Sequence, residues 1–405
     1  MRGMRGDDEQ MKSKRRYFEV KPLLKKYPKA RYYYILGGRG TGKTYPVMQK
    51  CLSDFFDGKG VFAYVRRYKE SLSMSNMSDI ASPQNAWIEE RTKGKWNKLV
   101  YFQRRFYLEK WENDPETGAP QRVDRLKTPV GGVWAMNTWE NDKGGDFGAD
   151  KGGISNIIID EVLSKAGDYL KDEWSIMQNV ISSLVRDRWE KDTKIWMLAN
   201  PLSKWANPYF RNMGIKKEVY SKPGITEIKY PSEIANKAGM SVVFAYIAAI
   251  TDKDGNVIDV DENRTNVYNT FFAFPNSKGK SRSITSGFWE MDESPRLPKG
   301  AYNDAIKVRT VCAVYMEDII CIDIMRTEKG LYFLHMSPCR QINEKTYYFT
   351  LSPVLDKYAI VGLKNDHPIT KIIAQIYRSG QVYYSDDSTA DSWHGFVKES
   401  KMIVI

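Results

Sequence analysis

The sequence predicts an α/β protein with a mainly parallel sheet in its first half and a second, β-rich α/β core near its end. Two observations carry this prediction. Apolar runs typical of buried strands alternate with helical patterns as far as about residue 200, which is typical of βαβ units. From residue 301, three β-rich runs precede a helix, a strand and a short helix. The 405 residues are enough for two domains.

The first element is a strand, Tyr32 to Leu36, that runs into a glycine-rich stretch fitting G-x-x-x-x-G-K-[ST], the phosphate-binding P-loop. Glycines allow backbone N–H groups to cradle a triphosphate because no Cβ stands in the way. Lys43 is predicted to lie between the β- and γ-phosphates of ATP, and Thr44 to bind Mg²⁺. A helix over 45–57 should aim its positive end at the phosphates. The predicted phosphate-binding residues are Gly37, Gly38, Arg39, Gly40, Thr41, Gly42, Lys43 and Thr44.

The second strand is the β-rich run 61–68, which contains Arg66 and Arg67. Neighbouring side chains of a strand point to opposite faces, so at most one of these arginines is expected to face the site. Residues 69–95 read as polar and helical. Two more strand-like runs, 99–111 and 130–139, enclose a polar loop.

A continuous apolar run, Ile157 to Ile159, predicts a parallel strand buried on both faces. Asp160 and Glu161 follow it directly, at the end where open α/β sheets bind ligands. This pattern predicts that Asp160 holds Mg²⁺ through a water, while Glu161 orients and polarises the attacking water. The next apolar strand, 194–201, contains Asn200 near its end, placed to sense a γ-phosphate.

Composition points to an acidic partner, because the net charge is +12 and the pI is about 9.2. Residues 1–30 hold ten Lys or Arg against four Asp or Glu, so this arm is either a solvated tail or a contact to nucleic-acid phosphates.

Four cysteines without C-x-x-C spacing predict reduced thiols. The three histidines belong to no metal-ligand pattern. No apolar run reaches membrane-span length and the basic N-terminus lacks the apolar core of a signal peptide, so we expect an intracellular protein without membrane contact.

These patterns divide the chain into a basic arm (1–30), a P-loop ATPase domain (31–234), a linker or lever (235–300) and an RNase-H-like domain (301–405). A nuclease that holds two metal ions needs several carboxylates gathered on its sheet. The last domain does not supply a complete set of them in the right order along the chain. The first of its strands has no acid at its centre. The acids considered are Asp323, Asp386, Asp387 and Asp391.

Four segments taken together resemble the DNA-packaging motor ATPases of phi-twenty-nine-like short-tailed phages, of the viral terminase large-subunit class. They are GGRGTGKT, AYVRRYKESL, IIIDE and VRDRWEKDTKIWMLANPLSKWANPYF. The resemblance covers about the first 230 residues well. It implies a ring, usually pentameric, at the portal protein of an empty capsid, where ATP hydrolysis drives double-stranded DNA inward. It also implies a host-cytoplasmic protein that is absent from the mature virion. Use of a packaging RNA stays open.

The resemblance also implies residue roles. Arg186 matches the arginine that reaches the γ-phosphate of a neighbouring subunit, with Arg188 as its nearest rival. Lys143 matches a lysine near the subunit interface, and Asn200 fits the coupling position. Arg39 would either sense the nucleotide or pair with Glu161. The last domain would be a vestigial nuclease that binds the portal, DNA or RNA.

Other functions fit parts of the sequence. One is a helicase or recombination ATPase acting on single strands, although no helicase motif follows the Asp-Glu pair. Another is a terminase with residual nuclease activity. A nucleotide-binding switch, a small-molecule kinase and a portal adaptor with an inactive nucleotide site are further alternatives. The complete set of Lys43, Thr44, Asp160 and Glu161 argues against the adaptor.

Overall fold

The structure is a computed structural model whose described residues divide into two compact units. The first is built from the described residues of 1–163, 170–201 and 208–290, and the second from those of 164–169, 202–207 and 291–405. The described residues are 18–38, 41–142, 147–164, 169–185, 192–202, 207–220, 223–230, 241–247, 294–298, 300, 304–316, 318–363 and 366–400.

The described strands of the first unit form one ten-stranded sheet in the order β3-β4-β6-β2-β7-β8-β1-β10-β9, with β5 paired to β4. The strands from β6 to β10 in this order are parallel, and antiparallel pairs lie at both margins. The predicted mainly parallel sheet is therefore confirmed. The strands are β1 (Tyr32–Gly37), β2 (Val61–Arg66), β3 (Lys98–Phe102), β4 (Arg105–Asn113), β5 (Pro120–Arg125), β6 (Gly131–Ala135), β7 (Ile154–Asp160), β8 (Lys194–Ala199), β9 (Gly224–Ile228) and β10 (Val242–Ile247).

The helix that follows β1 carries an apolar stripe of Val47, Cys51 and Leu52, which is buried against the sheet. None of the helices within the described ranges has the length and apolar character needed to cross a membrane. The helices of this unit are α1 (Val20–Lys26), α2 (Thr44–Phe56), α3 (Met74–Ala81), α4 (Asn85–Arg91), α5 (Glu173–Val185), α6 (Pro208–Asn212) and α7 (Lys217–Tyr220).

The N-terminal arm is shorter than the predicted 1–30. Phe18, Val20 and Leu23 are buried in the core of the first unit, and the last two lie on α1. The backbone N–H of Phe18 donates to the carbonyl of Thr41 at 3.1 Å. An apolar face within a basic segment therefore brings residues 18–30 into the first unit. Residues 1–17 lie outside the described ranges.

The sheet of the first unit also extends past the predicted boundary at residue 234. Strand β10 pairs in parallel with β1, from Tyr32 opposite Val242 to Gly37 opposite Ile247. The range 235–300, predicted as a linker, thus supplies a strand beside the first strand of the chain. Residues 235–240, 248–293 and 299 of that range lie outside the described residues.

The second unit is built on a six-stranded sheet in the order β15-β14-β11-β12-β13-β16. The three predicted antiparallel strands, β11 to β13, are present. The short β14 and β15 run parallel to β11 and were not predicted, since each has only three residues. Helices α8 and α9 cover one face. The elements are β11 (Ala305–Tyr315), β12 (Asp318–Thr327), β13 (Tyr332–Cys339), β14 (Tyr348–Thr350), β15 (Ala359–Val361), β16 (Val382–Tyr384), α8 (Pro368–Arg378) and α9 (Asp387–Glu399).

Candidate nucleotide-binding site

The glycine-rich loop connects β1 to α2 and holds the ammonium group of Lys43 at the tips of two strands. Lys43 is buried, and its Nζ donates to the carbonyls of Gly37 at 2.6 Å and Gly38 at 2.9 Å. It also donates to Oδ1 of Asn200, which follows β8, at 2.9 Å. Strand β8 lies directly beside β1. The structure therefore places Lys43 and Asn200, which are 157 residues apart, in direct contact.

Small residues are needed in this loop for two separate reasons. A Cβ on Gly37 would lie 3.1 Å from the carbonyl oxygen of Ile247 and 3.2 Å from Oγ1 of Thr41. Gly42 has φ +77°, a left-handed backbone that glycine adopts without strain. The hydroxyl of Thr41 donates to the carbonyl of Gly38 at 2.9 Å and tightens the turn. Thr44 is the first residue of α2.

The acidic pair lies at the same edge of the sheet, at the carboxyl end of β7. Asp160 is opposite Leu198 of β8, and Leu198 is opposite Ile35 of β1. Since neighbouring strands are about 4.8 Å apart, Asp160 is about 10 Å across the sheet from β1. Glu161 has φ +59°, and its N–H donates to Oδ1 of Asp160 at 2.9 Å. The Glu161 side chain is 56% exposed, so its carboxylate is accessible to water.

Arg66, at the end of β2, contacts both acids. Its guanidinium lies 3.2 Å from Oδ2 of Asp160 and 3.1 Å from Oε2 of Glu161. Tyr64, two residues earlier on the same face of the strand, donates its hydroxyl to Asp160. Burial alone would lower the pKa of Arg66. The neighbouring hydroxyl of Tyr64 and the charges of the two acids outweigh it and raise that pKa, so Arg66 stays charged.

Arg67, the next residue, contacts the backbone of the segment that follows Asp160. Its Nη1 donates to the carbonyl of Glu161 at 3.2 Å and its Nη2 to that of Val162 at 2.7 Å. Strand β2 ends at Arg66. Arg66 contacts the two carboxylates, whereas Arg67 contacts backbone carbonyls and Glu173, so the expectation that at most one of these arginines faces the site stays a prediction.

A buried carboxylate completes the environment of Arg67. Glu173, the first residue of α5, accepts from Nε at 2.7 Å and from Nη2 at 2.9 Å. It also accepts from the N–H of Leu170 at 2.8 Å and from the hydroxyl of Tyr209 on α6. This carboxylate is fully buried. The network ties the backbone that follows Asp160 to two helices, and it was not predicted from the sequence.

Several predicted site residues cannot be located. They fall in the stretches 39–40, 143–146 and 186–191, which lie outside the described residues. Their roles stay predictions, including the alternative that Arg39 pairs with Glu161, whose described partner is Arg66. The residues concerned are Arg39, Gly40, Lys143, Arg186 and Arg188.

The acids of the second unit occupy different parts of it. Asp323 is buried on β12 and pairs with Lys307 at 2.8 Å. Asp386 precedes α9, while Asp387 and Asp391 lie on that helix. Within the described residues, no three His, Cys, Asp or Glu side chains are arranged to hold a metal ion.

A glycine-rich loop between the first strand of a parallel sheet and its helix, with two acids ending a nearby strand, is the arrangement of P-loop nucleotide-binding domains. This chain is similar to the DNA packaging proteins of Bacillus phage phi29 and Bacillus phage PZA. It is 25% identical to each over 179 residues, which are 44% of this chain and 44% of each relative. The match therefore spans less than half the length of these relatives. No family model matches the chain.

Two solved structures share the fold over nearly the whole chain. One is the bacteriophage Phi-29 viral genome packaging motor assembly, with a TM-score of 0.55 and 15% identity, covering 95% of this chain and 99% of that chain. The other is the Phi-28 gp11 DNA packaging motor, with a TM-score of 0.53 and 16% identity, covering 95% and 98%. The resemblance to phage packaging ATPases that the sequence predicts is confirmed by these likenesses.

Proposed function

We propose that this chain is an ATPase that drives double-stranded viral DNA into an empty capsid. The observation that carries the proposal is the contact of Lys43 with Asn200 at the tips of β1 and β8, on the same sheet edge as Asp160 and Glu161. The likeness to packaging proteins in sequence, and to packaging motors in fold, supports DNA as the substrate that is moved.

The residues of the loop fit a bound triphosphate. The close approach of the Gly37 backbone to Thr41 and Ile247 would make a Cβ there crowd both neighbours, and Lys43 supplies a buried positive charge in the loop. ATP would be held by the loop from Gly37 to Thr44, with Asn200 beside its γ-phosphate. Release of the Lys43 ammonium from the Gly37 and Gly38 carbonyls would free its charge for the phosphates.

Thr44 and Asp160 would hold Mg²⁺, as hydroxyl and carboxylate oxygens suit this ion. Bound there, the ion would supply positive charge that offsets the negative charge developing on the phosphates. Glu161 would orient and polarise the attacking water, and its exposed carboxylate is accessible for this role. Arg66, paired with both acids, would offset their negative charges until Mg²⁺ binds. Arg67 would fix the backbone on which Glu161 is carried.

The partners belong to the same proposal. The chain would act as a homo-oligomeric ring, pentameric by resemblance, on the capsid portal protein in the host cytoplasm, and would be absent from the mature virion. Arg186, with Arg188 as its rival, would reach the nucleotide of the neighbouring subunit, and Lys143 would lie near that interface. Duplex contacts would be made mainly to phosphates, because a packaging motor must move any sequence.

The second unit would be an RNase-H-like domain without complete nuclease machinery. Its central antiparallel strands, extended by parallel strands and covered by two helices on one face, support this reading. Asp323 is already paired with Lys307, and the other considered acids lie at or on α9. This unit would bind the portal, DNA or RNA, and residual nuclease activity is the alternative.

Steady-state ATP hydrolysis tests the proposal, measured for the chain alone, with duplex DNA and with single-stranded DNA. We expect stimulation by duplex, a weak response to single strands, and a loss of about 10²- to 10⁴-fold in Glu161→Gln. A preference for single strands would instead favour a helicase or recombination ATPase. If the chain alone is inactive, the assay on empty capsids decides, and absence of hydrolysis there would leave a portal adaptor.

A further inference from the structure

Three free thiols lie in a row on one face of the sheet of the second unit. Cys312, Cys321 and Cys339 lie on the adjacent strands β11, β12 and β13. They alternate with core residues along these strands, so they face away from helices α8 and α9. The fourth cysteine, Cys51, is buried on α2 in the other unit. The three thiols of the second unit have no role in the proposed ATP hydrolysis.

The strand register brings two of these thiols directly opposite each other. Cys312 pairs with Cys321 across the antiparallel strands β11 and β12. The N–H of Cys312 donates at 2.9 Å to the carbonyl of Tyr347, on the side of β14 and away from β12. The pair is therefore of the non-hydrogen-bonded kind, in which Cα atoms are about 4.5 Å apart. That separation falls within the range of about 4.4 to 6.8 Å that disulfides span.

The two thiols differ in a way that sets their roles. Cys312 is buried, whereas Cys321 is partly exposed. A hydrogen bond from the Cys312 thiol lowers the pKa of Cys321, against the opposing effect of burial. The same hydrogen bond, together with burial and the charge of Cys321, raises the pKa of Cys312. Cys321 is thus the thiol that ionises first and can be reached from solvent. A hydrogen bond from Cys339 also lowers the pKa of Cys321, but less than the one from Cys312 does. The Sγ of Cys339 in addition donates to the carbonyl of Gln341.

We propose that Cys312 and Cys321 are a redox-modifiable dithiol that closes to a cross-strand disulfide on reaction with a low-molecular-weight disulfide, RSSR. The Cys321 thiolate attacks one sulfur of RSSR, which forms a mixed disulfide and releases RS⁻. This step removes the charge of Cys321 that opposes ionisation of Cys312. Cys312 then loses its proton and attacks the Cys321 sulfur, expelling the second RS⁻. The two thiols are oxidised by two electrons and RSSR is reduced to two thiols.

The test uses dithiobis(nitrobenzoate), an aromatic disulfide that releases a coloured thiolate, on the full chain carrying Cys339→Ser. We expect a first and then a second equivalent of thiolate, with no nitrobenzoate left on the chain. The additional change Cys312→Ala should stop the reaction at the first equivalent and leave the adduct on Cys321. A stable adduct while Cys312 is present would overturn the proposal.

Peptide mapping of the unsubstituted chain gives a second readout that does not depend on variants folding. Trypsin leaves Cys312 and Cys321 together in the peptide Thr310–Arg326, and Cys339 in Gly330–Arg340. After reaction of the chain with dithiobis(nitrobenzoate), we expect only the first peptide to lose the mass of two hydrogens. Dithiothreitol should restore the original mass. A cross-link between the two peptides, or no loss of hydrogen, would contradict the assignment. Labelling of buried Cys51 would report unfolding.

Discussion

Arg67 and Glu173 form a buried ion pair in which two guanidinium nitrogens contact the two carboxylate oxygens, at 2.7 and 2.9 Å. The pair joins the end of β2 to the start of α5, and the same guanidinium holds the carbonyls of Glu161 and Val162. Glu161 is in the left-handed region of backbone space, where a non-glycine residue needs support. The pair therefore anchors the segment that carries the predicted catalytic acid.

Removal of one partner of this pair should be strongly destabilising. We expect Arg67→Ala to lower the free energy of unfolding by about 3–5 kcal/mol, because it leaves the Glu173 carboxylate buried without its cation. Urea denaturation measures the change. The double variant Arg67→Met with Glu173→Leu should recover part of the loss, since it buries no charge. A double variant less stable than Arg67→Ala would show that the charges themselves are needed.

Arg66 should compete with a divalent cation for the acidic pair. We expect Arg66→Gln to lower the Mg²⁺ concentration needed for half-maximal binding of a nucleotide analogue roughly tenfold, or about 1.4 kcal/mol. The reason is that this guanidinium lies 3.2 Å from Asp160 and 3.1 Å from Glu161. The readout is a Mg²⁺ titration at fixed analogue concentration. A higher Mg²⁺ requirement would mean that Arg66 positions Asp160 instead of competing for it.

Gly37 should not tolerate a side chain. We expect Gly37→Ala to weaken nucleotide binding and to cost about 1–3 kcal/mol of stability, because its Cβ would press on the Ile247 carbonyl and on Thr41. Titration with a fluorescent nucleotide analogue and thermal unfolding measure the two effects. Gly58→Asn is the control, since Gly58 has open space around it and asparagine tolerates its φ of +73°. Equal effects of the two variants would contradict the close-approach argument.

The free energy of unfolding should fall in acid because the carboxylate of Asp54 on α2 becomes protonated. Burial alone would raise the pKa of Asp54, but hydrogen bonds from Lys50, Asn156 and Lys59 outweigh it and lower that pKa below its ordinary value of 3.8. A carboxyl with a lowered folded-state pKa contributes stability above its unfolded pKa, and this is lost as the pH falls through the folded one.

We therefore expect the free energy of unfolding of the unsubstituted chain to fall as the pH drops below about 4. In Asp54→Asn, stability should be lower at neutral pH and less dependent on acid. Denaturant titrations across this pH range measure both. Asp79→Asn, which removes an exposed carboxylate on α3, is the comparison. An unchanged acid dependence in Asp54→Asn would contradict the role given to Asp54.

The parts of the site that depend on local pattern were predictable. A strand that runs into a glycine-rich turn, and an apolar run that ends in Asp160 and Glu161, each show their structure within a few residues. Asn200 was predicted beside the phosphates because parallel strands end at one edge of a sheet. The structure places it against Lys43.

The remaining parts depend on contacts distant in sequence. Glu173 is 106 residues from Arg67, and no spacing rule links them. Val242 to Ile247 was missed as a strand of this sheet because its partner, β1, is about 200 residues earlier in the chain. Tyr64 could have been found, since it precedes Arg66 by two residues and thus shares its face of β2.

The most direct test is uptake of duplex DNA by empty capsids, measured as DNA protected from added nuclease in the presence of ATP. We expect the unsubstituted chain and Lys127→Ala, which alters an exposed lysine of the same unit, to protect DNA. Lys43→Ala should protect none, because the positive charge that the loop offers to the phosphates is lost. Undiminished protection by Lys43→Ala would contradict the proposal that this loop powers DNA packaging.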